Sequence, residues 1–186
     1  MTREDILDAA AQVFRKKGFH GASMAAIAKS VNLQKASLYH HVSSKQEILL
    51  ELLDRAIEML TERIAPLAQD SASADKKLRA MIRAYLQVLA EHADLASVLL
   101  FEHRSLESKH HARHIPNRDR FEALWRNVIL DGTRAGLFVG PDPGLTVRAL
   151  LGSLNWTVTW YRPNGELSIE EIADRNANLL FNGLLA

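Results

Sequence analysis

An all-α fold of about nine helices is predicted, and three observations predict it. Apolar residues recur at helical spacing in every long segment of the 186-residue chain. No segment sustains a period-two alternation built on β-branched residues. Residues that start and stop helices punctuate the chain at intervals that suit helices of ordinary length.

Taken in order, Thr2 and Asp5 read as a helix start ahead of Ile6, Ala10, Val13 and Phe14, and Gly18 is expected to stop that helix. Ser23 caps a short helix over residues 24–30, and a second short one is expected over residues 35–41. Ser44-Lys45-Gln46-Glu47 is a capping box ahead of a long helix striped by Ile48, Leu49, Leu52, Leu53, Ile57 and Leu60. Pro66 is expected to end it. After a polar loop, residues 75–91 carry Leu78, Met81, Ile82, Tyr85 and Leu89 on one helical face. Another helix is expected over residues 93–104. A polar, histidine-rich stretch follows, then a helix with Phe121, Leu124, Trp125, Val128 and Ile129 that runs to Gly136. Gly140-Pro141-Asp142-Pro143-Gly144 is a hard break. A helix over residues 145–161 and a last one, opened by the capping box Ser168-Ile169-Glu170-Glu171, complete the chain.

Composition removes several function classes. The chain is long enough for one domain or two small ones with a real core. It has no cysteine, which excludes disulfide scaffolds, zinc ribbons, iron–sulfur clusters and cysteine nucleophiles. The opening residues Met1-Thr2-Arg3-Glu4-Asp5 alternate charge where a signal peptide would be apolar. The best apolar run, residues 145–161, contains Arg148 and Asn155 and falls short of a membrane span. A soluble, cytoplasmic protein is expected. No Gly-Xaa-Ser-Xaa-Gly elbow, P-loop, His-Glu-Xaa-Xaa-His or dinucleotide fingerprint is present, so neither an enzyme nor a cofactor is expected.

The formal net charge of +1 conceals an uneven distribution. Residues 1–45 carry seven basic side chains against three acidic ones, a net +4. The remaining 141 residues sum to −3. All three acids of the first segment, Glu4, Asp5 and Asp8, lie at its start, so residues 9–45 hold no acid. A basic module on a slightly acidic body is a layout that suits a nucleic-acid partner.

Residues 23–45 carry the chemistry. Two short helices joined by a tight turn match a helix-turn-helix. Ala28 occupies the close approach of the two helices, and Ile27, Val31, Leu33 and Leu38 supply the small buried face. Asn32 holds the turn position, where it tolerates the left-handed conformation better than most residues. The second helix then presents Gln34, Lys35, Ser37, Tyr39 and His40, which are able to meet base edges and phosphates in a major groove.

The stretch Gly18-Phe19-His20-Gly21-Ala22-Ser23-Met24-Ala25-Ala26-Ile27-Ala28, followed by Lys35-Ala36-Ser37-Leu38-Tyr39-His40-His41-Val42-Ser43-Ser44-Lys45-Gln46-Glu47, closely resembles the TetR family of one-component transcriptional repressors. The resemblance implies an N-terminal three-helix DNA-binding domain, residues 1–45, and a C-terminal helical effector-binding and dimerisation domain, residues 46–186. It implies that Gln34, Lys35, Ser37 and His40 face the groove and that Tyr39 hydrogen-bonds a phosphate. Ser23 and Lys45 would pin flanking phosphates. Asn32, Gln34 and Val42 depart from the family's common turn glycine, small hydroxyl residue and phenylalanine. Gln34 is a potential adenine reader, so the operator cannot be borrowed from relatives.

The resemblance further implies a homodimer built through the last two helices, which presents two reading helices to a palindromic operator. A small-molecule effector in the helical body would release the DNA. Tyr85, Phe101, Trp125, Trp156 and Trp160 are candidate pocket residues, large, apolar and expected on core faces. Phe101-Glu102-His103-Arg104-Ser105-Leu106, Arg118-Asp119, Leu154-Asn155-Trp156-Thr157 and Trp160-Tyr161-Arg162-Pro163-Asn164-Gly165 are similar to TetR-type regulators of fatty-acid and steroid catabolism, which answer to acyl-CoA thioesters. On that likeness Arg104 and Arg162 would meet phosphate oxygens.

An alternative rests on five of the eight histidines: His92, His103, His110, His111 and His114. With Glu107 they would offer nitrogen and oxygen ligands for Zn²⁺ or Ni²⁺, and thus a metal-responsive repressor or a metal-dependent hydrolase. The same segment reads equally as a solvated loop beside Pro116.

Overall fold

The structure, a computed structural model, describes residues 2–139 and 142–184, the last two by their backbone alone. Among the described residues the chain is all-α, with no strand. The helices are α1 (Arg3–Gly21), α2 (Met24–Ser30), α3 (Lys35–Leu38), α4 (Lys45–Ala68), α5 (Ala74–Glu91), α6 (Ala93–Phe101), α7 (Ser108–Arg134), α8 (Pro143–Trp160) and α9 (Ile169–Leu184), with a 3-10 turn at His103–Ser105. Gly140 and Pro141 of the expected break lie outside the described residues. Asp142 beyond them caps α8, its carboxylate accepting from the amides of Gly144 and Leu145. No single described helix is long and apolar enough to cross a membrane.

The local start signals act as expected. Thr2 and Asp5 close a full capping box on α1, and Ser168 and Glu171 do the same for α9. At α4 only half the box forms: the Glu47 amide donates to Ser44 Oγ, while the Glu47 carboxylate accepts from the Ser43 hydroxyl instead. Gly18 adopts φ 69° and ψ 162°, which breaks the helix path before one further turn ends at Gly21.

Two proline expectations need correction. Pro66 does not end α4, which runs on to Ala68, with the Gln69 amide bonded to the Ala65 carbonyl. A proline one turn from a helix end removes only one internal bond. The histidine-rich stretch is not a loop but the first half of α7, which passes through Pro116. Ala112, whose carbonyl loses its donor there, and Pro116 are both exposed, so solvent replaces the missing N–H. The helix expected over residues 93–104 also stops earlier, at Phe101, and tightens into the 3-10 turn.

The chain divides into two compact units, residues 1–58 with 92–117, and residues 59–91 with 118–186. In the first, α1 packs against α2 and α6, and α2 against α3. Its core is built on Ile6, Phe14, Phe19, Ile27, Leu38 and Leu49. In the second, α5 packs against α9 and α8. There Tyr85, Phe121 and Trp125 form an aromatic cluster, with ring centroids 5.6 to 6.3 Å apart. The Phe138 ring lies over Gly132 and meets Phe181 edge-on at 6.0 Å.

Candidate nucleic-acid interface

The first unit builds the expected reading head. Ser23 Oγ accepts from the Ala26 amide at 3.1 Å and so starts α2. Ala28, on α2, is buried. Asn32 takes φ 55°, the left-handed conformation that the turn position demands, and the Leu33 amide closes onto the Ala28 carbonyl at 2.8 Å. Helix α3 is shorter than expected and ends at Leu38, and residues 39–41 continue as tight turns bonded to Ala36, Ser37 and Leu38 carbonyls. With Leu38 and Val42 buried, Gln34, Lys35, Tyr39 and His40 stand exposed and Ser37 half-exposed. Gln34 occupies the cap position of α3 but its side chain makes no cap bond, leaving the amide to the outer surface.

The acids of the head are used internally. Glu4 and Asp8 pair with Arg55 of α4 at 3.3 and 2.8 Å. Asp5 is held in the α1 cap, where the Thr2 amide draws its carboxyl below the usual range. The exposed Lys16, Lys17, Lys29 and Lys35 therefore have no acid within residues 9–45 to offset them.

Lys45 is placed differently from a phosphate-facing lysine. Its ammonium donates to the carbonyls of Phe19 at 2.7 Å and Ala22 at 2.8 Å and sits over the Phe19 ring. Three further ties were not expected from the sequence. Arg3 pairs with Glu51 and also donates to the His41 carbonyl, just past α3. Gln46 donates through Nε2 to the Ser105 carbonyl at 2.8 Å and accepts from the Glu107 amide at 3.0 Å. Asp54 accepts from Asn117 and shares a 2.8 Å hydrogen bond with buried His114. Each joins residues far apart in sequence, so no local pattern signals them.

The residues expected to line an effector pocket are divided between the two units. Tyr85 and Trp125 are buried together, and the Tyr85 hydroxyl donates to Asn155 Oδ1 at 2.6 Å. Phe101, Trp156 and Trp160 were expected on core faces and are not: they are 51%, 66% and 48% exposed. On α8 the inward sector is Val147, Leu150, Leu154 and Thr157, and at 3.6 residues per turn Trp156 and Trp160 fall on the opposite side with Leu145, Ala149 and Gly152. Phe101 and Arg104 are exposed in the first unit, whereas Tyr85, Trp125, Trp156 and Trp160 belong to the second. Arg162 is exposed after α8.

The histidines do not assemble. His110 Nδ1 lies 3.9 Å from the Glu107 carboxylate and His114 is taken by Asp54. Among the described residues no three His, Asp or Glu side chains converge to hold a metal ion.

Comparison with known proteins agrees with this geometry. Residues 6–52 match the family described as bacterial regulatory proteins, tetR family, and residues 71–184 match the tetracyclin repressor-like C-terminal domain. The TetR family regulator PfmR from Thermus thermophilus is 32% identical, with a TM-score of 0.87 over 97% of this chain and 99% of that one. AibR, solved in complex with isovaleryl coenzyme A and operator DNA, is 26% identical, with a TM-score of 0.89 over 97% and 98% of the two chains. The transcriptional repressor KstR2 of Mycobacterium tuberculosis is 25% identical over 184 residues, 98% of this chain and 92% of that one. A reading head with a left-handed turn residue, and a helical body that matches from residue 71 to 184, place the chain in the TetR family, whose members are transcriptional regulators and not enzymes.

Proposed function

We propose that this regulator is a cytoplasmic repressor that binds a palindromic operator as a homodimer and leaves it when an acyl-CoA-type effector binds the helical body. The observation that carries the reading is the α2–turn–α3 arrangement, with Gln34, Lys35, Tyr39 and His40 exposed on a head whose acids are taken up by Arg55 and the α1 cap. DNA reading belongs to residues 1–45, and effector binding and dimerisation to residues 46–186. Gln34, Lys35, Ser37 and His40 read the groove, while Tyr39 and Ser23 hold phosphates through their hydroxyls. Lys45 serves the same interface by fixing the corner between α1 and α2.

Dimerisation is supported by the outer face of α8, where Leu145, Trp156 and Trp160 lie exposed on a helix that is apolar on both sides. A twofold pair would set two α3 helices about one DNA turn, roughly 34–36 Å, apart. The effector class is supported by the likeness to AibR, which was solved with isovaleryl coenzyme A and operator DNA.

The test is a gel shift with DNA from upstream of the protein's own gene, repeated across salt concentrations and with added acyl-CoA thioesters. Tight binding that weakens steeply with salt and is reversed by a thioester is expected. Absence of any protected sequence at low salt would defeat the reading.

A further inference from the structure

Trp125 is wholly buried, at 0% exposure, and among the described residues its indole N–H has no hydrogen-bond partner. A buried indole N–H ordinarily finds one, because leaving the donor dry costs the full desolvation of that group. Two other buried donors lack partners, His110 Nδ1 and Arg118 Nε, but each lies within 4 Å of a carboxylate, Glu107 and Glu122. The Trp125 ring packs against other aromatic rings. It meets Tyr85 edge-on at 5.6 Å and Phe121 at 6.3 Å, and a ring face is a weak acceptor at best.

The surroundings define what would satisfy it. Tyr85 turns its hydroxyl to Asn155 Oδ1, so that proton is already placed. Burial alone pushes the Tyr85 phenol above its usual value, and no charged neighbour contributes. The site joins α5, α7 and α8, and the ring contacts and hydrogen bond that define it involve no charged group. A carboxylate there would be an uncompensated buried charge, whereas a neutral oxygen would accept the indole proton without that cost.

We propose that Trp125 is the polar anchor of the effector site, donating its indole N–H to a neutral acceptor oxygen, a keto or ester carbonyl, on the part of the effector that enters the second unit. This rests on the effector reading above and sharpens it. The regulator prefers a ligand whose apolar portion bears a carbonyl over a plain hydrocarbon of the same shape. Trp125 thus sets specificity, and one neutral hydrogen bond gives a preference of about 2- to 12-fold.

The experiment uses the full-length protein and two matched pairs of CoA thioesters: octanoyl-CoA with 7-oxooctanoyl-CoA, and cyclohexanecarboxyl-CoA with its 4-oxo counterpart. Affinity is measured by calorimetry, and release from the operator fragment by gel shift. In parallel, the three indole N–H signals are followed by NMR in ¹⁵N-tryptophan-labelled protein. They are assigned with Trp156→Phe and Trp160→Phe, which alter exposed residues, so the Trp125 signal is identified without touching the core. Tighter binding of an oxo member, a downfield move of the Trp125 indole proton, and loss of the preference in Trp125→Phe support the proposal. If Trp125→Phe fails to fold, the indole shift in the wild type decides alone. Thioesters that release DNA but bind equally with and without the oxo group, or leave the Trp125 proton unmoved, overturn the anchor and leave the effector reading standing. If no thioester binds or releases DNA, both fall.

Discussion

The Lys45 ammonium lies 4.3 Å from the centroid of the Phe19 ring and donates to the Phe19 carbonyl at 2.7 Å. With its second bond, to Ala22, it ties the corner between α1 and α2 to the start of α4. Lys45→Met keeps the stem over the ring and removes both bonds. Stability should fall by about 1–3 kcal/mol, as for a part-buried charge-assisted contact. Operator affinity should fall too, with the slope of log affinity against log salt unchanged. A direct phosphate contact would instead reduce that slope by about 1. Thermal unfolding and operator titrations across a salt series separate the two roles.

Gln34 and Tyr39 flank the same short helix but should act differently. Gln34 carries an uncommitted amide able to pair with adenine, so Gln34→Ala should cost about 1–3 kcal/mol at one operator position and relax the preference there. Tyr39→Phe removes one hydroxyl from an exposed ring and should weaken binding evenly across sequences. Selection from a randomised operator library gives both profiles. An unchanged base preference in Gln34→Ala would show that it does not read bases.

What the sequence discloses and what it hides follow from the range of each interaction. Ser23, the Thr2–Asp5 box, the Ser168–Glu171 box and the left-handed Asn32 act within four residues, and spacing alone reveals them. The exposed set around α3 is legible for the same reason, being the complement of buried Leu38 and Val42. Pro66 and Pro116 mislead because the cost of a proline depends on whether the freed carbonyl meets solvent. The ties of Lys45, Arg3, Gln46 and Asp54 depend on tertiary packing. Helix α8 misleads in a third way: with large apolar residues on two opposite faces it carries little phase, so spacing alone does not assign its tryptophans to the inner or outer side.

Gly132 is set by packing. A Cβ there would collide with two carbons of the Phe138 ring, and Phe138 is itself held against Phe181. Gly132→Ala should cost about 1–3 kcal/mol, against the small gain that alanine brings to an unobstructed helix. A denaturant titration measures it. A variant as stable as the wild type would mean that the Phe138 ring moves aside at little cost.

Acid should weaken the fold through His103. Burial, reinforced by the charge of Arg104, holds its imidazole below the usual 6.5. The unfolded chain then takes up the proton first, so stability is fully present above pH 6.5 and is lost as pH falls toward the folded-state value. His103→Gln removes that titration. Its urea midpoint should drop less between about pH 7.5 and 5.5 than that of the wild type. Equal drops would place the acid sensitivity elsewhere.

Trp156 tests the dimer. It stands 66% exposed on the outer face of α8, between Leu145 and Trp160 along the stripe opposite the buried Val147, Leu150 and Leu154. An exposed indole contributes little to the stability of a lone subunit, so Trp156→Glu should unfold at nearly the wild-type temperature. At an interface it would bury an unpaired carboxylate on each side of the twofold axis, a cost of several kcal/mol that shifts the protein to monomer. Loss of the second reading head should then lower operator affinity by orders of magnitude while leaving weak half-site binding. Analytical ultracentrifugation reads the mass, and titrations on full and half operators read the affinity. A Trp156→Glu protein that remains dimeric would place the interface on another face.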